Sequence, residues 1–372
     1  MSDVKRPKFE ILYSNNDFSL ALEPLLVEAK AITYLAGRAD EVEFQIEDRS
    51  GIIRDQYWPA KGDSVEVNVG YESGAMYAAG IFVIDEAQVD GPPWTVRVRG
   101  LSRSNKKALL QKNSRAFDNT TLKALASEIG KDLQVIVRVD GPNLKLERVT
   151  QHAETGLEFL HRIGWKYGFV VKILSEGEIA LVPLAQLMSM DAVTLIEPSD
   201  VTHLSLRTKT FGAPRAAVVR YFDPVHKEYL AQLSKPRDLI TTMNYPFPVP
   251  KPGRLPRLVL DASGGEQNVL KLLERAESLA QADLRASTAL LHAQMGQMEG
   301  TITLPWQPQL TAGMTVYLDE FGGGVNGGYL INRCEQGVGY GGTRTELDIA
   351  ANPLSHGKPS KLKKINTGKG RK

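Results

Sequence analysis

The 372-residue sequence contains a single cysteine, Cys334, so no disulfide can form within the chain and the fold does not depend on an oxidising compartment. No run of 18 consecutive apolar residues occurs, and the opening MSDVKRPKFEILYSNN holds no apolar stretch of signal-peptide length. The expectation is a chain made and kept in the cytoplasm unless something larger carries it out, with no direct membrane insertion. Charge of one sign is also scarce: 45 Lys and Arg stand against 43 Asp and Glu, a formal net of +2. Catalytic signatures are missing as well, with no G-x-S-x-G elbow, no H-E-x-x-H and no lysine closing a Gly-rich phosphate loop. What remains, 42% hydrophobic and 24% charged, is the composition of an ordinary globular protein. That excludes disordered and collagen-like chains, and the length suggests two or three domains.

The small positive excess has an address. Lys358, Lys361, Lys363, Lys364, Lys369, Arg371 and Lys372 crowd into the last 15 residues, which hold no acid, so the rest of the chain carries 38 basic against 43 acidic residues, a net of −5. A body of that sign is not a dedicated DNA-binding surface, because phosphate neutralisation needs clustered cations. The basic tail is a candidate interaction segment with three readings: a solvated end, an arm docking on an acidic neighbour, or a non-specific nucleic-acid contact.

Residues 41 to 102 read as strands. Glu41-Val-Glu-Phe-Gln-Ile-Glu-Asp, Ser64-Val-Glu-Val-Asn-Val and Trp94-Thr-Val-Arg-Val-Arg each alternate with period two, punctuated by Gly51, Gly62, Gly91 and Pro92-Pro93. The period then changes. Thr120 to Gly130 spaces Leu122, Leu125, Ala126 and Ile129 as one helical stripe closed by a glycine, and Glu154 to Tyr167 spaces Leu157, Leu160 and Ile163 as another. Strands at Leu133–Val139, Phe169–Ile173 and Glu178–Val182 complete a small α+β module. Strands return after Val201, including Ala216–Phe222. Pro246, Pro248, Pro250, Pro252 and Pro256 then impose an extended linker, 241–258. The stretch 266–294, free of Pro and Gly and rich in Ala, Leu, Glu and Gln, predicts the longest helix.

Laying 61–98 beside 312–347 exposes an internal similarity. Lys61-Gly-Asp-Ser-Val-Glu-Val leads to Ala79-Gly-Ile-Phe-Val-Ile-Asp-Glu, a Gly/Pro turn and Thr95-Val-Arg-Val. Ala312-Gly-Met-Thr-Val-Tyr-Leu leads to Gly327-Gly-Tyr-Leu-Ile-Asn-Arg-Cys, a Gly-rich turn and Thr345-Glu-Leu-Asp-Ile. The spacing is 18 residues from Gly62 to Gly80 and 15 from Gly313 to Gly328. Either these are two unrelated meanders or one chain carries two equivalent β units, a pattern suited to rings.

From Gly80 to Leu184 the sequence resembles the late control gene D family, the tail hub proteins of contractile-tailed phages and R-type pyocins. More distantly it is similar to the hub of T-even phages and the N-terminal region of type VI secretion spikes. The resemblance rests on Gly80-Ile-Phe-Val-Ile-Asp-Glu, Val98-Arg-Gly-Leu-Ser-Arg-Ser, Phe117-Asp-Asn-Thr-Thr-Leu-Lys-Ala-Leu, and Gln151-His-Ala-Glu-Thr-Gly-Leu-Glu-Phe-Leu-His-Arg-Ile with Tyr167-Gly, in that order. It implies a β-rich α+β fold: two similar tail-tube-like β-barrel domains, an inserted α+β module and one long helix, assembling as a trimeric pseudo-six-fold ring. It also implies the partners: a trimeric spike protein, the tail tube or a tube-initiating protein, the tape-measure protein and other baseplate subunits of a virion or tail particle made in a bacterial host. Where longer relatives carry basic insertions, this chain has only the connection at 234–265. The expected boundaries are 1–102 for the first barrel domain, 103–200 for the module, 201–353 for the second barrel with its linker and helix, and 354–372 for the tail.

Side-chain chemistry offers little to an enzyme. His152 and Glu154 with His161 form the one His/carboxylate grouping, without a third ligand, and hydrogen bonding at a helix start accounts for it. Asp85-Glu86 and Asp319-Glu320 are adjacent, so their side chains are expected to diverge. Gly322-Gly-Gly-Val-Asn-Gly-Gly and Gly337-Val-Gly-Tyr-Gly-Gly lie between strands, away from any helix N-terminus, and read as hairpin loops. No catalytic, metal or cofactor-binding residue and no small-molecule substrate is expected. The competing classes are a tail-tip enzyme such as a peptidoglycan hydrolase and a nucleic-acid-binding regulator.

Overall fold

The computed structural model describes residues 6–13, 16–17, 23–60, 62–72, 74–102, 111–175, 178–209, 216–223, 228–234, 269–276, 278–340 and 342–355. The Pro-rich segment 241–258 and the basic residues Lys358 to Lys372 lie outside them.

The alternating segments become strands where the period predicts them. They are β1 (Pro7–Tyr13), β2 (Asn16–Asp17), β3 (Leu26–Tyr34), β4 (Glu41–Glu47), β5 (Ser64–Tyr71), β6 (Met76–Asp90) and β7 (Thr95–Leu101), with the short helix α1 (Ile52–Asp55) between β4 and β5. Val42, Phe44 and Ile46 of β4 are buried while Glu41, Glu43, Gln45 and Glu47 are not, as a half-buried strand requires.

The α+β module follows: β8 (Lys112–Thr121), α2 (Leu122–Leu133), β9 (Ile136–Val139), β10 (Lys145–Thr155), α3 (Gly156–Lys166), β11 (Phe169–Ser175), β12 (Glu178–Pro183) and α4 (Leu184–Met188). Thr121 caps α2 by accepting the Ala124 N–H (3.3 Å). A reciprocal pair starts α3: Thr155 Oγ1 accepts the Glu158 N–H (3.2 Å) and the Glu158 carboxylate accepts the Thr155 N–H (2.8 Å). Leu122, Leu125, Ile129, Phe159, Leu160 and Ile163 bury against Ile179 and Leu181 of β12. Gly130 does not end α2. It lies inside the helix, where a Cβ would meet Val135 O at 2.8 Å and Val137 Cγ2 at 2.9 Å, and the left-handed residue that closes the helix is Gln134.

The chain then adds β13 (Thr194–Ile196), β14 (His203–Thr208), β15 (Ala216–Asp223), β16 (Glu228–Ser234), β17 (Val269–Ala276), α5 (Leu279–Met295), β18 (Met298–Pro305), β19 (Thr315–Leu318), β20 (Gly327–Gly339) and β21 (Gly342–Ala351). The helix expected over 266–294 is therefore corrected. Its first part is strand β17, which pairs in parallel with β15, and the helix begins only after Ser278, whose Oγ accepts the Gln281 N–H (3.2 Å). Ala282, Ala286 and Leu290 of α5 bury against Ala217 and Val219 of β15, so the small residues do permit close approach, to this chain's own sheet.

Among the described residues, thirteen strands form one sheet in the order β14-β18-β21-β20-β3-β4-β7-β6-β5-β1-β2, with β19 pairing β20 and β13 pairing β19. The sheet is not flat. Phe9 of β1 and Phe44 of β4 lie four inter-strand steps apart, about 19 Å along a flat sheet, yet their rings sit 6.1 Å apart, edge to face. The β1–β7 end is thus curled around its own core, built from Phe9, Ala31, Phe44, Val67, Phe82 and Val98. The other end encloses a second core, with Ile196 of β13, Ile302 of β18, Val316 of β19, Ile331 and Cys334 of β20 and Leu347 of β21.

Candidate functional site

The feature built most extensively by the strand alternation is the sheet face opposite the two cores. Register places Arg207 of β14 opposite Glu299 of β18, Thr301 opposite Asp348 of β21, Glu346 opposite Glu335 of β20, Lys30 of β3 opposite Glu43 of β4, and Arg99 of β7 opposite both Glu43 and Glu86. Cross-strand ion pairs lace it: Arg99–Glu41 at 2.8 Å, Arg97–Glu43 at 3.1 Å, Arg344–Glu28 at 3.4 Å and Arg333–Glu346 at 3.4 Å. Each such pair contributes a few tenths to about 1 kcal/mol, so their effect is to hold register and keep the face wet rather than to hold the fold. Acids outnumber bases, since Glu28, Glu41, Glu43, Glu47, Glu86, Asp90, Glu299, Glu335, Glu346 and Asp348 stand against Lys30, Arg97, Arg99, Arg207, Arg333 and Arg344.

At one end of the first core lies an aromatic rim. Tyr57, Trp58 and Trp94 are exposed, with the Arg54 guanidinium 4.3 Å from the Trp94 ring. Asp48 anchors this rim from inside. Burial alone would raise its carboxyl, but the Arg54 side chain and the N–H groups of Ile53 and Arg54 donate to it and hold it below the usual carboxylate range.

The residues singled out in the sequence fall differently. Glu154 accepts two hydrogen bonds from Arg162, which hold its carboxyl below the ordinary value against the opposing effect of burial. His161 instead faces Gly37 and stacks on Trp165, whose ring also stacks on His292 with centroids 3.7 Å apart. Asp319 and Glu320 do not diverge as expected. Glu320 is left-handed (φ 65°), which breaks the strand alternation, and both carboxylates come within 4.8 Å of each other and of Glu197. The Gly322–Gly328 segment bridges β19 and β20, and Gly337–Gly342 lies in the β20–β21 hairpin, as read from the sequence. Cys334 is buried in β20, its thiol pushed up to about 12 by burial. An open cleft at the β14 and β18 end is lined by Thr208, Lys209, Gln294, Tyr317, Tyr329 and Asn352, and among the described residues no Asp, Glu, His or Cys lines it.

No family model matches the chain. The fold is that of phage tail proteins: the tail protein from Neisseria meningitidis MC58 superimposes with a TM-score of 0.65, covering 94% of this chain and 98% of that one at 13% identity. The 43 kDa tail protein of prophage MuSo2 from Shewanella oneidensis gives 0.62, covering 94% and 100%, also at 13% identity. Within that class the likeness in sequence is to the hubs. The chain is 22% identical over 169 residues to the "Probable baseplate hub protein" of Escherichia phage P2, covering 45% of this chain and 43% of that protein, and equally to its counterpart in phage 186. The match thus spans less than half the length of these curated relatives.

Proposed function

We propose that this chain is a structural, non-enzymatic baseplate hub subunit of a contractile phage tail or a pyocin-like injection device, adapting a six-fold tail tube to a three-fold puncturing spike. The observation that carries the reading is that the two ends of the sheet are built alike. In each, a long strand pairs with the strand before it and the strand after it: β5-β6-β7 and β19-β20-β21. The closing strand pairs with an earlier one, β7 with β4 and β21 with β18, and that one with another, β4 with β3 and β18 with β14.

The likeness extends to single hydrogen bonds. Gly62 (φ 100°) donates to Ile84 O at 2.8 Å and Ile84 donates to Asp63 O at 2.8 Å. Gly313 (φ 92°) donates to Ile331 O at 2.8 Å and Ile331 donates to Met314 O at 2.9 Å. The residue after each isoleucine, Asp85 or Asn332, is bulged out of register. This equates Gly80 (φ 139°) with Gly327 (φ 155°), one residue from the Gly328 that the sequence comparison favours. Two unrelated meanders have no reason to share a bulge, a glycine conformation and a bond pattern at matching positions.

Three copies of such a chain supply six near-equivalent units around an axis, each a tube-like barrel, with the module near 103–200 and other three-fold features left to meet the spike. The acidic face would line the channel, continuous with the tube and the tape-measure protein. A wall hydrolase is disfavoured because no carboxylate, histidine or cysteine lines the open cleft among the described residues, and a nucleic-acid-binding regulator because the face is acidic. Negative-stain microscopy of the purified chain, alone and with its spike, tests the reading. Rings with six similar lobes are expected, and isolated or open-ended particles in both samples contradict it.

A further inference from the structure

Building on the hub reading, we propose that copies of this chain join head to tail through two sheet edges, β14 of one copy pairing antiparallel with the second half of β6 of the next. The chain already contains the template. β20 gives Gly327–Leu330 to β19 and Arg333–Gly339 to β3, so one long strand closes its own unit and then grips the first strand of the other. In the first unit β6 gives Met76–Val83 to β5, while Glu86–Asp90 pair with β7 alone among the described strands. In the second unit β14 holds the place of β3, and among the described strands it pairs with β18 alone and ends the sheet. The joint made once inside the chain therefore leaves one matching strand segment and one matching edge over.

The shared bulge fixes the register. Glu335 pairs with Ile32 and Gln336 with Ala31 inside the chain, and the equivalent positions are Gln88 with Arg207 and Val89 with Leu206. In that register Leu206, half-buried at its edge, meets Val89 on the core side. Arg207 meets Gln88 on the polar side, with Glu86 and Asp90 diagonal to it. Inside the chain the same side of the joint carries the Arg344–Glu28 pair. Thr208 also occupies the place of Thr33, whose hydroxyl accepts the Ala312 N–H at 3.1 Å. An edge strand with half-buried leucines is normally covered or blunted by charge, and here the charges on the two edges are opposite in sign, which favours pairing between copies. Because the two edges belong to different units, the contact is heterologous and closes into a ring or runs on as a filament.

The test is cross-linking of the full chain carrying Gln88→Cys and Arg207→Cys with a short bismaleimide, the native Cys334 being buried. Covalent dimers and trimers are expected, with none from either single variant. Arg207→Glu, which sets like charges beside Glu86 and Asp90, should weaken assembly about tenfold, and adding Gln88→Arg should restore it. If the chain assembles by mass but neither cross-links nor responds to these charges, the joint is overturned and the hub reading stands. If it stays monomeric alone and with the spike, both fall.

Discussion

At the scale of single residues, the least expected arrangement is the stack of Trp165 on His292, which ties α3 to α5. Burial lowers the His292 imidazole from 6.5 to about 4, and its Nε2 is buried with no partner among the described residues. The unfolded chain therefore takes up a proton below pH 6.5 that the folded chain resists until about pH 4. This residue's contribution to stability is complete above 6.5 and is lost as the pH falls towards 4, to the extent of about 3 kcal/mol. His292→Phe keeps a stacking ring and removes the titration. Thermal melts from pH 7 to 4 should show the wild type losing stability faster than the variant, and parallel profiles would contradict the assignment. None of this was legible in the sequence, where His292 is one polar residue near the end of a helical run. His161 was noticed there, but for a grouping with Glu154 that Arg162 occupies instead.

At the scale of elements, the paired glycines give the sharpest expectation. Gly62 and Gly313 both hold left-handed backbone and donate the first bond of the same motif. Gly62→Ala and Gly313→Ala should each cost about 1–2 kcal/mol, with similar losses measured by urea unfolding, and a large cost at one site with none at the other would argue against equivalence. Most elements were readable because one physical signal dominated them: period two in β4, β5 and β7, and apolar stripes in α2 and α3. The helix expected at 266–294 fails for a physical reason. Val269-Leu-Lys-Leu-Leu-Glu-Arg-Ala carries good helix formers and an i, i+4 stripe, but its pairing with β15, distant in sequence, overrides local propensity. Ser278 as a cap was the available signal for the true start. Gly130 misleads in the same way, since the room it leaves is needed by Val135 and Val137 rather than by a helix end.

At the scale of the whole molecule, the likeness between the two ends of the sheet was visible as spaced glycines and apolar strands, but its meaning was not. Only the strand order, the shared bulge and the matched hydrogen bonds turn a weak similarity into an architectural argument, because they depend on contacts far apart in sequence. The polar face has the same character. Each strand shows its own alternation, while the acidic surface exists only once β14 through β6 lie side by side. The hub reading requires one chain to supply two sixths of a ring. The most direct measurement is the solution mass by light scattering, for the chain alone and with the spike protein proposed as its partner. A mass near three times 40.9 kDa for this chain, in either sample, is the predicted result. A chain that stays at 40.9 kDa in both would contradict it.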